Sequence, residues 1–152
     1  MNKRGLNIII SSEGCKLKPY LDPKGIPTIG YGTTLYPNGT KVKMTDKQIT
    51  KEQAYDYLIY NAGKAEKEIL QYVKKDINEN QISALVSFVY NIGIGNFSTS
   101  TILKLINKNP NNESIKNEFM KWIKITIDGK KIISNGLIIR RMKESKLYFS
   151  QN

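Results

Sequence analysis

The sequence has no histidine and a single cysteine, Cys15, among its 152 residues. One cysteine excludes an intramolecular disulfide, and without imidazoles the usual ligand sets for zinc are missing, so neither a metal nor any other cofactor is implied. Cys15 reads as a small half-buried residue at a helix-to-strand corner, with a redox-sensitive thiol as the alternative. Long apolar runs are also absent. The N-terminal stretch MNKRGLNIIISSEG starts basic, but its apolar core is only Ile8–Ile10, too short for a signal peptide or a membrane span. The expectation is a chain that begins in the cytoplasm with no stable membrane insertion. Negative charge is the scarcer sign, with 13 Asp and Glu against 24 Lys and Arg, for a formal charge of +11 that no histidine makes pH-dependent near neutrality. Such a field attracts polyanions, among them nucleic acid, anionic lipid and the bacterial wall. The basic residues form no recognition-style run and no nucleic-acid motif is present, so nucleic acid is not the expected partner. Repeats and low-complexity linkers are lacking as well. What is there, 39% apolar residues, suffices for one compact domain or two small lobes sharing a helix.

The chemistry concentrates in residues 5–34, GLNIIISSEGCKLKPYLDPKGIPTIGYGTT. Leu6, Ile9, Ile10 and Glu13 fall at i, i+3, i+4 and i+7, which places Glu13 on the apolar stripe of a short helix. Gly14 follows, as a glycine does where a helix stops, so the carboxyl lies at the negative end of the helix dipole. A carboxyl at that place, at the edge of the interior, is positioned to donate a proton. A surface glutamate at a frayed helix end is the competing reading. Beyond Gly14 the period changes to alternation: Leu17, Pro19 and Leu21, then Thr28, Gly30 and Gly32, predict two strands. Asp22-Pro23-Lys24-Gly25 between them has Asp, Pro and Gly where a type I turn wants them. Asp22 therefore has a structural role open to it as the turn's hydrogen-bonding residue. The same turn brings it near Thr28, and the short Gly14–Lys16 link keeps both near Glu13. Gly30 and Gly32 leave bare backbone where a substrate could lie close.

The spacing of Glu13, Asp22 and Thr28 within EG…YLDPKGIPTIGYGTT resembles the phage-type lysozyme (endolysin, muramidase) family of glycoside hydrolases. The resemblance continues through QISALVSFVYNIGIGNFSTSTIL at 81–103 and GLIIRRMKESKLY at 136–148, and so spans nearly the whole chain. It implies an α+β, predominantly helical fold in a single catalytic domain. A small β-hairpin lobe at about 14–50 is joined by a helix at about 50–74 to a helical lobe at about 75–152, with helix 2–13 packed on the latter and the cleft between lobes. It implies hydrolysis of the β-1,4 bond between N-acetylmuramic acid and N-acetylglucosamine in peptidoglycan, with Glu13 as general acid and Asp22 and Thr28 holding the attacking water. The family is generally inverting, which goes with carboxyls about 6.5 to 9.5 Å apart. Substrate contacts carried over by local alignment are Gly30, Thr34, Phe97 and Asn135, although Phe97 also reads as a core aromatic. Thr33 stands where the family often has histidine. The resemblance also implies a separate membrane-permeabilising partner, a host-cytoplasmic location before release, and a monomer as the default state.

Further along, Thr33–Tyr36 and Lys41–Val42 flank Pro37-Asn38-Gly39 and predict a third strand. A helical start is expected at Thr45. Thr50 with Gln53 is a capping box ahead of Ala54, Leu58, Ala62, Ala65, Ile69 and Val73, which predicts the long helix. Asn78 with Gln81 opens a nearly all-buried helix that ends at Gly93, and Ser98 restarts one through Ile106. Ile115, Phe119, Trp122 and Ile123 predict another from about 112, and Asp128-Gly129 a second small hairpin over 125–133. Ser134 or Asn135 caps a last helix running to about Phe149. On it Arg140 and Arg141 sit among apolar positions and need partners, since an unpaired buried charge is costly. Glu144 could serve locally, or one arginine could reach Glu13; the sequence does not choose between them. A lytic transglycosylase on the same bond, a non-catalytic basic wall-binding module and a nucleic-acid-binding protein are the rival readings.

Overall fold

The computed structural model describes residues 1–151. Its axis is α3 (Glu79–Ile92), in which ten consecutive residues from Asn80 to Val89 are buried. A helix apolar or small on every side must be surrounded. Three helices do so: α1 (Lys3–Glu13), α2 (Lys51–Tyr72) and α7 (Asn135–Tyr148). α1 crosses so closely that a Cβ on Gly5 would come within 2.7 Å of the Ser83 carbonyl oxygen. Any side chain there would push α1, and Glu13 at its end, off α3.

α2 starts with a complete capping box at Thr50 and Gln53, and buries the narrow stripe Ala54, Leu58, Ala62, Ala65 and Ile69. Its exit is held from a distance, because the Asn107 side chain accepts from Lys74 N (2.7 Å) and donates to the Tyr72 carbonyl (3.0 Å). The helical start expected at Thr45 does not form. Ile49 N donates instead to the Leu17 carbonyl (2.9 Å), which keeps the segment extended until Thr50 caps α2.

The hairpin of β1 (Lys16–Leu21) and β2 (Pro27–Gly30) is antiparallel, with Tyr20 opposite Thr28 and Leu21 opposite Pro27. The expected third strand shrinks to isolated bridges, Ile29 to Thr33 and Leu35 to Lys41. The turn at Pro37-Asn38-Gly39 is there, with Asn38 Oδ1 accepting from Thr40 N (3.0 Å). Its flanks, however, are too short for a ladder.

After α3 the chain makes α4 (Ile94–Ser98) and then α5 (Thr101–Lys108), which restarts at Thr101 because Ser100 caps it. The helix expected from about 112 is only α6 (Ile115–Phe119). Beyond it Ser134 N pairs with the Ile123 carbonyl (2.8 Å) and draws the chain into a second hairpin, β3 (Lys124–Ile127) and β4 (Lys130–Ile133). Asp128 and Gly129 both have positive φ, +49° and +77°, the backbone that a two-residue type I′ hairpin requires. Ser134 caps α7. No helix among the described residues is long and apolar enough to cross a membrane.

Candidate active site

Glu13 ends α1 because Gly14, at φ +66°, turns the chain while its N–H closes on the Ile10 carbonyl (3.1 Å). The side chain is 21% exposed, and its two oxygens are treated differently. Oε1 accepts from Arg140 Nη1 at 2.6 Å. Oε2 lies over Gly32, where a Cβ would stand 2.8 Å from it, on a residue whose φ is +76°. Gly32 is thus bare where the protein's own carboxyl needs the room.

Arg140 is 3% exposed and spends every face of its guanidinium. Besides Glu13, Nε donates to Glu144 Oε1 (3.1 Å) and Nη2 to the Ser87 carbonyl (2.9 Å). Glu144 has no exposure; its Oε1 also accepts from Ser87 Oγ (2.7 Å), and its Oε2 takes Arg141 Nη1. Arg141 turns away from Glu13, donating to the Trp122 carbonyl (2.9 Å) and to Asn91 and lying over the Phe88 ring at 4.8 Å. Burial pulls the Arg141 guanidinium below its ordinary pKa, and the Glu144 carboxylate opposes that shift. The local pair and the long-range pair therefore coexist on Arg140. Two guanidiniums and two carboxylates form one set, which is how so many charges tolerate burial.

On the hairpin side Asp22 serves its turn. Oδ1 accepts from Lys24 N (2.8 Å) and Ile26 N (2.9 Å), while Gly25 N closes on the Asp22 carbonyl (2.9 Å). No protein donor reaches Oδ2 among the described residues. Thr28 is buried, and its hydroxyl donates to the Ile26 carbonyl (2.8 Å). With its proton committed there, the oxygen faces any further partner as an acceptor. Ile26 is the shared anchor, since its carbonyl also accepts from Asp22 N (3.0 Å). Between the acids stands Tyr20, half-buried, with Lys16 Nζ 4.2 Å from its ring centre. Partial burial and then the charges of Glu13 and Asp22 push its phenol above the usual pKa, so it lies within the field of both carboxylates.

A groove of about 180 Å³ opens from Gly32 along α2 and the end of α3, past Thr34, Asn61, Lys64, Glu68 and Tyr90. The other substrate contacts expected from sequence lie elsewhere. Gly30 is buried, and a Cβ on it would meet Ala54 of α2 at 3.2 Å. Phe97 has no exposure and is a core aromatic. Asn135 is exposed in the first turn of α7, outside the groove. The aromatic that lines the groove is Tyr90, whose hydroxyl donates to the Tyr31 carbonyl (2.7 Å) and so fastens the Gly30–Gly32 turn to α3. Thr33 is buried beside it. The sequence signal for Tyr90 was available: a tyrosine one turn after Val86 on a buried helix, just ahead of the glycine that ends it. Glu144 and Ser87 carried no comparable signal for a link to Glu13. Among the described residues no group of three or more Cys, Asp or Glu side chains is placed to hold a metal ion.

A protein-family model described as phage lysozyme matches residues 10–144. An endolysin of Acyrthosiphon pisum secondary endosymbiont phage 1 is 36% identical over 150 residues, covering 99% of this chain and 98% of that one. Among solved structures, an endolysin from Escherichia coli O157:H7 phage FAHEc1 superposes with a TM-score of 0.86 at 40% identity, over 97% of this chain and 92% of that one. The muramidase domain of SpmX from Asticaccaulis excentricus does so with a TM-score of 0.82 at 26% identity, over 99% and 97%.

Proposed function

The chain belongs to the phage lysozyme family, endolysin-type glycoside hydrolases of peptidoglycan, and from that premise we propose that Glu13 is its general acid and that Asp22 and Thr28 hold the water. The observation that carries this reading is the asymmetry of the Glu13 carboxyl. Arg140 occupies Oε1, which leaves Oε2, over the bare backbone of Gly32, as the oxygen that delivers a proton to the glycosidic oxygen. As that bond breaks, the muramic acid ring takes on oxocarbenium character and needs a nucleophile from its opposite face. A water giving one hydrogen to the open Asp22 Oδ2 and the other to the Thr28 hydroxyl oxygen would aim its lone pair at the anomeric carbon. Capture by that water inverts the configuration, and Asp22 never bonds to sugar. All of these groups come from one chain, and the reading takes it as a monomer. Reaching the wall from a host cytoplasm would call for a separate membrane-permeabilising protein.

Digestion of purified peptidoglycan by wild type and Glu13→Gln, with mass spectrometry and anomer-resolved NMR of the released sugars, tests this reading. Reducing-end muropeptides from wild type, first released as the α anomer, with turnover by Glu13→Gln lowered about 10²- to 10⁴-fold, are expected. Anhydro sugars would make the enzyme a transglycosylase. Near-normal turnover by Glu13→Gln would sink the assignment of the acid.

A further inference from the structure

In the groove that leads from Gly32, α2 presents two opposite charges one helical turn apart, Lys64 and Glu68. Residues at that spacing on a helix are neighbours and commonly pair. Here no ion pair within 4.0 Å joins them, and none engages either with another group among the described residues. The contrast with the adjacent Glu66 is direct, because its carboxylate takes the chain's N-terminal ammonium at 2.8 Å. In a chain with 24 basic residues against 13 acidic ones, a half-buried glutamate left without a cation faces the groove with its charge uncommitted. Asn61, one turn before Lys64 and also half-buried, adds an uncommitted amide to the same wall.

A neutral sugar calls for neither charge. A ligand that satisfies both must carry an anion and a cation close together. Peptidoglycan offers such a group where the diamino residue of its stem peptide is diaminopimelate, whose free end holds an ammonium and a carboxylate on one carbon. A lysine stem ends in an ammonium alone. We propose that Lys64, Glu68 and Asn61 form a subsite for the zwitterionic free end of a diaminopimelate stem, with Glu68 on the ammonium and Lys64 on the carboxylate, so that the wall of the groove reads the peptide while Glu13 acts on the glycan. This rests on the proposed function, and it makes the enzyme selective among wall types.

The test is a binding measurement that needs no turnover. Tetrasaccharide fragments of peptidoglycan are titrated into Glu13→Gln protein and followed by amide NMR. One fragment has no peptide, one has tetrapeptide stems with lysine at the third position, and one has the same stems with diaminopimelate. The diaminopimelate fragment should shift the amides around Asn61, Lys64 and Glu68 and bind roughly three- to five-fold tighter than the lysine fragment, the scale of one partly exposed ion pair. Adding Lys64→Gln should erase that preference, and adding Glu68→Gln should weaken both stem-bearing fragments toward the peptide-free one. Equal affinity for the three fragments, or shifts that bypass α2, would overturn the proposal. Cleavage of the fragments by Glu13→Gln would instead overturn the catalytic assignment, leaving the preference readable on the stem-bearing products.

Discussion

Glu13 and Asp22, the two carboxylates of the proposed site, are held by opposite means. Glu13 is gripped from 127 positions away by Arg140, which is itself clamped by Glu144 and Ser87 in a buried set that joins α1, α3 and α7. Asp22 is held by backbone N–H groups two and four residues downstream, in a turn it makes for itself. The first arrangement exists only in the folded protein, and the second could form in an isolated hairpin. In the roles proposed for them, a proton donor must keep its place through the cycle, and the fixed guanidinium provides that. A water-holding carboxylate needs one free oxygen and a short tether, which the turn supplies.

Truncating Glu144 separates the two most strongly. Glu144→Ala leaves buried Arg140 with Glu13 alone and buried Arg141 with no carboxylate, and removing a partner from such a set costs about 3 to 5 kcal/mol. That is a large part of a domain's stability, about 5 to 15 kcal/mol in total. Urea unfolding should show it, and a loss under about 1 kcal/mol would mean that the network does not hold α7 against α1 and α3. Next comes Gly32→Ala, which sets a methyl 2.8 Å from Glu13 Oε2 at a φ of +76°. The carboxyl must move by something near 1 Å, and a displacement of that size costs about 10²-fold in kcat/KM. Wild-type kcat/KM in Gly32→Ala would show that the donor oxygen lies elsewhere. Thr28→Ala acts on the hairpin side alone, removing one acceptor for the water, with about tenfold lower kcat expected and about 1 kcal/mol of stability lost with the bond to Ile26. Thr28→Ser keeps the hydroxyl and should restore most of the rate; failure of that rescue would assign Thr28 to packing.

The same division explains what could be read from the sequence. Capping boxes at Thr50 and Asn78, the Asp22 turn, the Asp128-Gly129 hairpin and the end of α1 at Gly14 are all decided within a few residues, and each is visible in local pattern. So is the placement of Glu13 on the buried stripe. The choice between Arg140 and Arg141 was not legible, because the two differ by one position on α7. Only the packing of that helix on α3 sends one to Glu13 and the other to Asn91 and Phe88. Phe97 and Tyr90 were both aromatics near the end of α3, and which of them met solvent depended on the fold of α4. Gly30 and Gly32 looked alike, two residues apart with positive φ, yet one is bare for Ala54 and the other for Glu13. The short α6 and the missing third strand were lost to tertiary pairing at Ser134 and to flanks too short to form a ladder.

The smallest effect probes whether a local contact in the hairpin lobe depends on charge at all. Asp46 Oδ2 accepts from Lys43 N and from the Tyr36 hydroxyl, both at 2.8 Å, a short-range arrangement like that of Asp22. The Lys43 N–H, followed by the Tyr36 hydroxyl, holds this carboxyl below its ordinary pKa. A folded-state pKa below the unfolded one means that the unfolded chain binds the proton more readily as pH falls. The stabilisation is therefore complete above the unfolded value of about 3.9 and is lost as pH drops through the folded one. Asn at this position can still accept both hydrogen bonds but carries no charge. Asp46→Asn should melt slightly below wild type at pH 7, hold that gap down to about pH 5, and converge with wild type as pH falls below about 4. A gap that stays constant with pH would show that shape and hydrogen bonding, not charge, tie this turn together.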